Sequence, residues 1–125
     1  MTGDPFQSGS ALLRYCPLAA FNRIMAKTFF ITGAGSGIGR VLARYLLLRD
    51  HRVFLTDYNR DFLEQTCTSH LRSILPQEQY ANVKWAQMNV TDDEEVANAI
   101  ALCVAEFGGI DVLVNSKFPA FTMLA

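Results

Sequence analysis

Four short apolar runs alternate with longer amphipathic segments, and this alternation restricts the possible fold more than any other feature of the sequence. The runs cover residues 27–32, 52–57, 83–90 and 110–115, and they are rich in β-branched and aromatic residues. Short apolar runs bounded by turn residues are typical of strands that are buried on both faces. We therefore predict four strands of a parallel sheet.

The segments between these runs carry apolar residues at helical spacing. We predict helices over residues 37–49 and 60–75, and a third helix that starts at a capping box with Thr91 as the N-cap and stops at Gly108 and Gly109. The expected buried faces are Ile38, Val41, Leu42, Tyr45 and Leu46 in the first helix, Phe62, Leu63, Cys67, Leu71 and Ile74 in the second, and Val96, Ile100, Cys103, Val104 and Phe107 in the third.

The resulting element order is β-α-β-α-β-α-β. Crossovers between parallel strands are right-handed, which gives the strand order 3-2-1-4 with helices on both faces of the sheet. We predict an α/β protein with a Rossmann-like parallel sheet, truncated relative to the six-stranded form of that fold. The chain of 125 residues suits a single domain, with residues 25–115 as its folded part.

A glycine-rich turn, TGAGSGIGR, follows the first strand directly at residues 32–40. Gly33 lets the chain turn sharply, Gly37 removes a Cβ where a phosphate would approach, and Gly39 lets helix and strand pack closely. The free amide groups and the positive dipole end of the helix favour an anionic group. The turn predicts a site for the diphosphate of a dinucleotide, and the alternative is a tight turn that binds nothing.

Asp57 ends the second strand, where its carboxylate would accept hydrogen bonds from the ribose hydroxyls of adenosine. A carboxylate there would repel a 2′-phosphate, so we predict NAD rather than NADP as the cofactor. Ser36 agrees with this preference because it stands in the turn in place of a basic residue, whereas the nearby Arg60 weakens it. The alternative is that Asp57 is a solvated residue at a strand end.

These segments together resemble the short-chain dehydrogenase/reductase family over about residues 26–115. The turn matches the family's TGxxxGxG, Asp57 matches its acidic residue after the second strand, and residues 110–115 match its fourth strand. Residues 89–91 resemble its D-V-T segment, with Asn in place of Asp. The resemblance implies a nicotinamide dinucleotide cofactor and hydride transfer to or from a carbonyl or alcohol substrate.

The resemblance also implies roles for individual residues. Ile38 would lie along the pyrophosphate, Asn89 and Val90 would flank the adenine, and Asn115 would steady the fourth strand near the cofactor. With Gly33, Ser36, Gly37, Gly39 and Asp57, these residues form the predicted cofactor site. We predict no catalytic residue and no metal ligand in the sequence.

The match to the family ends after Asn115. The family's N-A-G is replaced by Ser116, Lys117 and Phe118, which bring bulk and charge to a turn that passes the cofactor. The family's catalytic serine and Tyr-x-x-x-Lys pair would come later and are absent from the sequence. We therefore expect the chain to be inactive alone. The alternative function is a non-catalytic module that binds a dinucleotide or another protein, and no substrate follows from the sequence.

One pentad imitates the family's catalytic pair. Tyr80 and Lys84 have the spacing Y-x-x-x-K, but the segment follows Pro76 and runs into the third strand, so we expect an extended chain at the amino end of the sheet. A loop tyrosine and a solvated lysine are the simpler interpretation. We likewise expect His51 and His70 to be surface histidines.

Composition restricts the partners and the compartment. A net charge of −1 without a basic stripe argues against nucleic acid and anionic membranes. The three cysteines form no C-x-x-C pair, which favours a reducing compartment such as the cytoplasm. We interpret residues 1–24 as an N-terminal extension or a targeting segment, in which case the location would be mitochondrial. Residues 116–125 form a divergent tail.

The predicted sheet has an open edge at its fourth strand. Val112 and Val114 would present unpaired backbone groups there, and such an edge is a template for association with another chain. We therefore expect marginal stability and self-association through this edge.

Overall fold

The computed structural model describes residues 25–35 and 37–116, which form a four-stranded parallel sheet with helices on both faces. The strands are β1 (Thr28–Thr32), β2 (Arg52–Asp57), β3 (Val83–Gln87) and β4 (Val112–Asn115). Their order in the sheet is β3-β2-β1-β4, which confirms the predicted topology. The predictions for residues 1–24, for Ser36 and for residues 117–125 lie outside the described residues.

The strands pair in a single register that aligns their carboxyl ends. Phe30 of β1 lies between Phe54 of β2 and Leu113 of β4, and Asp57 at the end of β2 pairs with Gln87 of β3. Both outer strands are shorter than predicted, because residues 88–90 and 110–111 form loops instead of strand. These loops place the residues that follow β3 at the edge where the glycine turn begins.

Two apolar cores lie on opposite faces of the sheet. Ile31, Val53 and Leu55 face the helices α1 (Gly37–Leu47) and α2, which consists of the α-helical turn Arg60–Glu64 and the π-helical segment Gln65–His70. Phe30, Phe54 and Met88 face the helix α3 (Asp93–Phe107). Strands β1 and β2 are buried by both cores, whereas β3 and β4 are only partly covered.

The buried face of α1 differs from the predicted one. Ile38, Val41 and Tyr45 are exposed, and the face that packs on the sheet consists of Gly39, Ala43, Leu46 and Leu47. Small residues face the strands here because the glycine turn brings the start of α1 very close to β1. Of the residues expected in the core, Leu46 is buried and Leu42 packs partly against it, whereas Ile38, Val41 and Tyr45 form an apolar stripe on the outer side of the helix.

Helix α2 is not the continuous α-helix predicted over residues 60–75. The α-helical turn Arg60–Glu64 continues as a π-helical segment, Gln65–His70, in which the N–H of Leu71 donates to the carbonyl of Thr66 at 2.8 Å. Leu63, Cys67 and Leu71 are buried as predicted, Ile74 is half-buried, and Phe62 is exposed. A 3₁₀ helix, Gln77–Asn82, then replaces the extended chain expected before β3.

The N-cap of α3 is Asp92 rather than the predicted Thr91. Asp92 accepts hydrogen bonds from the N–H groups of Glu94 and Glu95 at 3.0 and 3.2 Å. The Thr91 hydroxyl instead donates to Oδ1 of Asn89 at 2.7 Å, so it is not free to cap the helix. The helix ends at Gly108 as predicted. It buries Ala99 and Cys103, while Ile100 and Val104, both expected in the core, are exposed.

Candidate functional site

A cleft opens where the carboxyl ends of β1, β2 and β3 meet. It has a volume of about 230 Å³ and is lined by Gly33, Thr56, Asp57, Tyr58, Met88, Asn89, Val90 and Thr91. Ligand clefts for whole small molecules usually exceed about 300 Å³, so this one is large enough for part of a dinucleotide only. Open parallel sheets bind ligands outside the carboxyl ends of their strands, which is where this cleft lies.

The glycine turn forms one wall of the cleft. Gly33 has φ 68° and Gly37 has φ 61°, a left-handed conformation that favours glycine at both positions. A Cβ on Gly39 would lie 2.9 Å from Cα of Ala34 and 2.8 Å from Oγ of Ser116, so this position has no room for a side chain. The structure thus gives Gly33 and Gly39 the turning and packing roles that the sequence predicts.

The turn leads directly into the amino end of α1. The first N–H groups of an α-helix have no acceptor within the helix, and they carry the positive end of its dipole. Residues 37–40, the first helical turn, contain no acidic side chain that would neutralise this end. Ile38 stands here with 77% of its side chain exposed, beside the position where an anionic group would bind.

Asp57 is buried, and both of its carboxylate oxygens accept hydrogen bonds from backbone groups. Oδ2 accepts from the N–H of Gly35 at 2.8 Å, and Oδ1 accepts from the N–H of Asn59 at 2.9 Å. The side chain is only 5% exposed, which contradicts the alternative of a solvated strand end. Each carboxylate oxygen has a second lone pair, so Asp57 can accept further hydrogen bonds from the side of the cleft.

The other predicted site residues also lie at this end of the sheet. Asn89 and Val90 line the cleft after β3, and Oδ1 of Asn89 accepts from the N–H of Thr91 at 3.0 Å. Asn115 ends β4 opposite Thr32, the first residue of the glycine turn. The structure therefore brings every described residue of the predicted site to one edge of the sheet. Their binding roles stay predictions.

Sequence reasoning missed a group of residues around the site. Met88 forms the buried floor of the cleft and Tyr58 its exposed rim. Arg40 and Thr66 lie behind the glycine turn, where both donate to the carbonyl of Gly35, at 2.7 and 3.0 Å. Tyr58 directly follows Asp57 and Met88 directly precedes Asn89, so their positions next to predicted site residues could have indicated them. The contact of Thr66 depends on the course of α2 and has no such signal.

Tyr80 and Lys84 contact different parts of the chain. The Tyr80 hydroxyl donates to the carbonyl of Arg72 at 3.3 Å, whereas Nζ of Lys84 lies 3.6 Å from a carboxylate oxygen of Glu106. The Tyr80 ring also contacts the guanidinium group of Arg72. The structure therefore gives each side chain its own partner and does not assemble them as a pair.

The two histidines are partly buried, and the two cysteines of the described residues, Cys67 and Cys103, are fully buried; none of the four lines the cleft. Burial lowers the pKa of His51, and Arg52 lowers it further. Burial likewise lowers the pKa of His70, with contributions from Arg40 and Arg44. Both histidines keep part of their surface exposed, and Nδ1 of His51 accepts the N–H of Lys27 at 3.0 Å. Burial raises the pKa of the Cys67 thiol to about 12.

The described part of the chain contains neither a metal-binding cluster nor a membrane-spanning helix. Within residues 25–35 and 37–116, no group of three or more His, Cys, Asp and Glu side chains has an arrangement that would hold a metal ion. In the same residues, no helix has the length and apolar character needed to cross a membrane.

The parallel sheet, its strand order and the glycine turn at its carboxyl edge define a Rossmann-like α/β protein. A family model described as "short chain dehydrogenase" matches residues 27–117, and the chain belongs to this family. Use of NAD or NADP is a general property of the family.

Individual relatives agree with this assignment. The chain is 37% identical over 93 residues to 2-(R)-hydroxypropyl-CoM dehydrogenase of Xanthobacter autotrophicus. The aligned segment covers 74% of this chain and 35% of that protein. A short chain dehydrogenase from Mycobacterium smegmatis has a similar structure, with a TM-score of 0.62, 33% identity, and coverage of 73% and 36% of the two chains. Menthone neomenthol reductase from Mentha piperita gives a TM-score of 0.70 at 26% identity, covering 75% and 32%. The chain thus spans about a third of the length of these relatives.

Proposed function

We propose that this chain forms the dinucleotide-binding part of an NAD-dependent oxidoreductase. The observation that carries the proposal is the position of Asp57, whose buried carboxylate lines the cleft and is hydrogen-bonded to the glycine turn. In this arrangement the ribose of adenosine binds at Asp57 and the diphosphate binds at the amino end of α1. The adenine occupies the apolar part of the cleft, over Met88 and beside Val90.

The same residues favour NAD over NADP. A 2′-phosphate would enter a cleft that already holds a buried carboxylate, and like charges in a partly desolvated site repel strongly. Arg60 is the nearby cation that would offset this repulsion, but its guanidinium group contacts other residues. Its Nε pairs with a carboxylate oxygen of Glu64 at 3.2 Å, and its guanidinium group lies over the Trp85 ring. Asp57 therefore determines the preference.

We propose further that the chain binds the cofactor without turning over a substrate by itself. Hydride transfer between a carbonyl and an alcohol needs a group that moves a proton at the substrate oxygen. Within the described residues, the one tyrosine with a lysine at Y-x-x-x-K spacing is Tyr80, and the two side chains have separate partners. The chain's role is then to hold the cofactor.

Calorimetric titration with NAD and NADP tests the proposal. We expect NAD to bind more tightly than NADP, and Asp57→Asn to reduce this preference because the repulsive charge is removed. Asp61→Asn is the matched control, because Asp61 is exposed in the first turn of α2 and does not line the cleft. An assay with a panel of alcohols should give no turnover. Absence of binding by the folded protein would contradict the proposal, and so would turnover.

A second candidate function is self-association through β4. Within residues 25–35 and 37–116 this strand pairs with β1 on one side only, and its sequence, VLVN, contains no charged residue that would protect the edge. Leu113 is 59% exposed on the same strand. We propose that the β4 strands of two copies pair antiparallel about a two-fold axis, which closes both edges at once.

Sedimentation velocity over a range of concentrations tests this second candidate. Leu113→Lys should shift the protein towards monomer, because two lysines would face each other across the paired edges. Leu102→Lys is the control, since Leu102 is also about half exposed but lies on α3. A monomer at all concentrations, or equal effects of the two variants, would rule out pairing through β4.

We also propose that the protein works in a reducing compartment, with the cytoplasm as the first choice and the mitochondrion as the alternative. Cys67 and Cys103 are buried free thiols, and such thiols persist where glutathione keeps them reduced. Fluorescence imaging of the tagged full chain would distinguish the two locations, and secretion through an oxidising compartment would contradict both.

A further inference from the structure

The backbone N–H and the backbone carbonyl of Gly35 both form hydrogen bonds with side chains. Its N–H donates to Oδ2 of Asp57 at 2.8 Å, and its carbonyl accepts from Nη2 of Arg40 at 2.7 Å and from the Thr66 hydroxyl at 3.0 Å. A Cβ on Gly35 would lie 2.8 Å from both Oδ2 of Asp57 and Cβ of Phe62. The position of Gly35 is therefore coupled directly to that of the Asp57 carboxylate.

Thr66 is fully buried behind the turn, and its hydroxyl forms hydrogen bonds with three groups. It accepts from Nε of Arg40 at 2.9 Å, and its single hydrogen is shared between the carbonyls of Gly35 and Phe62, at 3.0 and 3.1 Å. Thr66 lies in the π-helical segment Gln65–His70. Such segments are rare and occur frequently at functional sites, because the wider turn redirects a side chain.

Arg40 places a positive charge where a helix dipole disfavours one. It stands in the first turn of α1, at the positive end of the helix. Its guanidinium group donates to the Thr66 hydroxyl and to the Gly35 carbonyl, and among the residues the structure describes it forms no ion pair with a carboxylate within 4.0 Å. The contacts of the guanidinium group are therefore with Thr66 and the Gly35 carbonyl, on the side of the turn away from the cleft.

We infer that Arg40 and Thr66 are positioning residues of the dinucleotide site, acting through Gly35 to hold the Asp57 carboxylate in place. This inference rests on the proposed function. Loss of either hydrogen bond to the Gly35 carbonyl frees the turn, and the hydrogen bond from Gly35 to Asp57 then no longer fixes the carboxylate. The ribose loses its oriented acceptor, so NAD affinity falls even though neither positioning residue touches the ribose.

The test compares Thr66→Val, Thr66→Ser and Cys67→Ala by calorimetry with NAD and NADP, and by thermal unfolding. Thr66→Val removes only the hydroxyl, and we expect NAD affinity to fall about tenfold, as for the loss of one buried hydrogen bond. NADP should be affected less, so the ratio of the two affinities falls. Thr66→Ser keeps the hydroxyl and should keep both affinities. Cys67→Ala leaves a cavity in the same core and should lower stability without changing the affinity ratio.

Arg40→Gln and Arg44→Gln form a second pair on α1, in case Thr66→Val does not fold; Arg44 is exposed and is the control. Arg40→Gln should weaken NAD binding and Arg44→Gln should not. The positioning role is overturned if the wild-type protein binds NAD but Thr66→Val and Thr66→Ser bind it equally well. It is also overturned if Arg40→Gln and Arg44→Gln bind NAD equally well. If the folded wild-type protein binds neither dinucleotide, the proposed function fails instead, so the two failures are distinguishable.

Discussion

The backbone N–H of Gly35 donates to Oδ2 of Asp57 at 2.8 Å, which joins the glycine turn after β1 to the end of β2. Two segments that are far apart in sequence therefore form one rigid wall of the cleft. A carboxylate held by backbone groups needs no large rearrangement before it accepts a ligand hydroxyl. Preorganisation of this kind reduces the ordering that accompanies binding.

Gly35→Ala should destabilise the fold because the new Cβ would overlap both Asp57 and Phe62. Overpacking of a tight site typically costs about 1–3 kcal/mol. Gly109→Ala is the matched control, since a Cβ there meets no atom within 4 Å. Chemical denaturation of both variants measures the difference, and equal free energies of unfolding would show that the turn relaxes without strain.

Asp92→Ala should lower the free energy of unfolding by about 1 kcal/mol, because it removes the side-chain acceptor at the start of α3. Thr91→Ala should cost less, since Thr91 does not cap the helix. Urea denaturation followed by circular dichroism compares the two variants. A larger loss of unfolding free energy for Thr91→Ala would mean that Thr91 is the N-cap, as predicted from the sequence.

Stability should decrease as the pH falls below about 6.5, the ordinary pKa of histidine. The pKa values of His51 and His70 are lowered in the folded protein, mainly by burial, so the unfolded chain binds protons first. The stabilising contribution is complete above pH 6.5 and is lost as the pH falls towards the folded pKa values. Melting curves between about pH 5 and pH 8 should show this decline, and a double His51→Gln/His70→Gln variant should show a smaller one.

The thiols of Cys67 and Cys103 should resist alkylation in the folded protein. Burial raises their pKa values to about 12 and about 11, and the thiolate is the reactive form. Mass spectrometry of peptides after iodoacetamide treatment should show both cysteines unmodified until denaturant is added. Rapid labelling of Cys103 without denaturant would mean that α3 opens readily from the sheet.

The topology was predictable from the sequence because apolar runs and turn glycines are local signals. The runs at residues 52–57 and 27–32 need no tertiary information to be identified as strands; β2 has the predicted bounds, and β1 begins one residue later than predicted. The same holds for the placement of Gly33 and Asp57, because parallel strands bring their carboxyl ends to one edge of the sheet.

Features that depend on packing were not predictable. Ile38 and Val41 fit a helical apolar stripe, but the tight turn lets only small residues face β1, so the helix presents Gly39 and Ala43 to the sheet. Asp92 replaces Thr91 as N-cap because Asn89 takes the Thr91 hydroxyl. The contact of Thr66 with Gly35 depends on a π-helical turn that no local pattern indicates.

A crystal structure of the protein with NAD bound tests the central claim most directly. We predict the ribose hydroxyls of adenosine within hydrogen-bonding distance of the Asp57 carboxylate, the adenine over Met88, and the diphosphate at the first amide groups of α1. A folded protein that binds NAD elsewhere, or crystals in which this cleft stays empty at saturating NAD, would contradict the account.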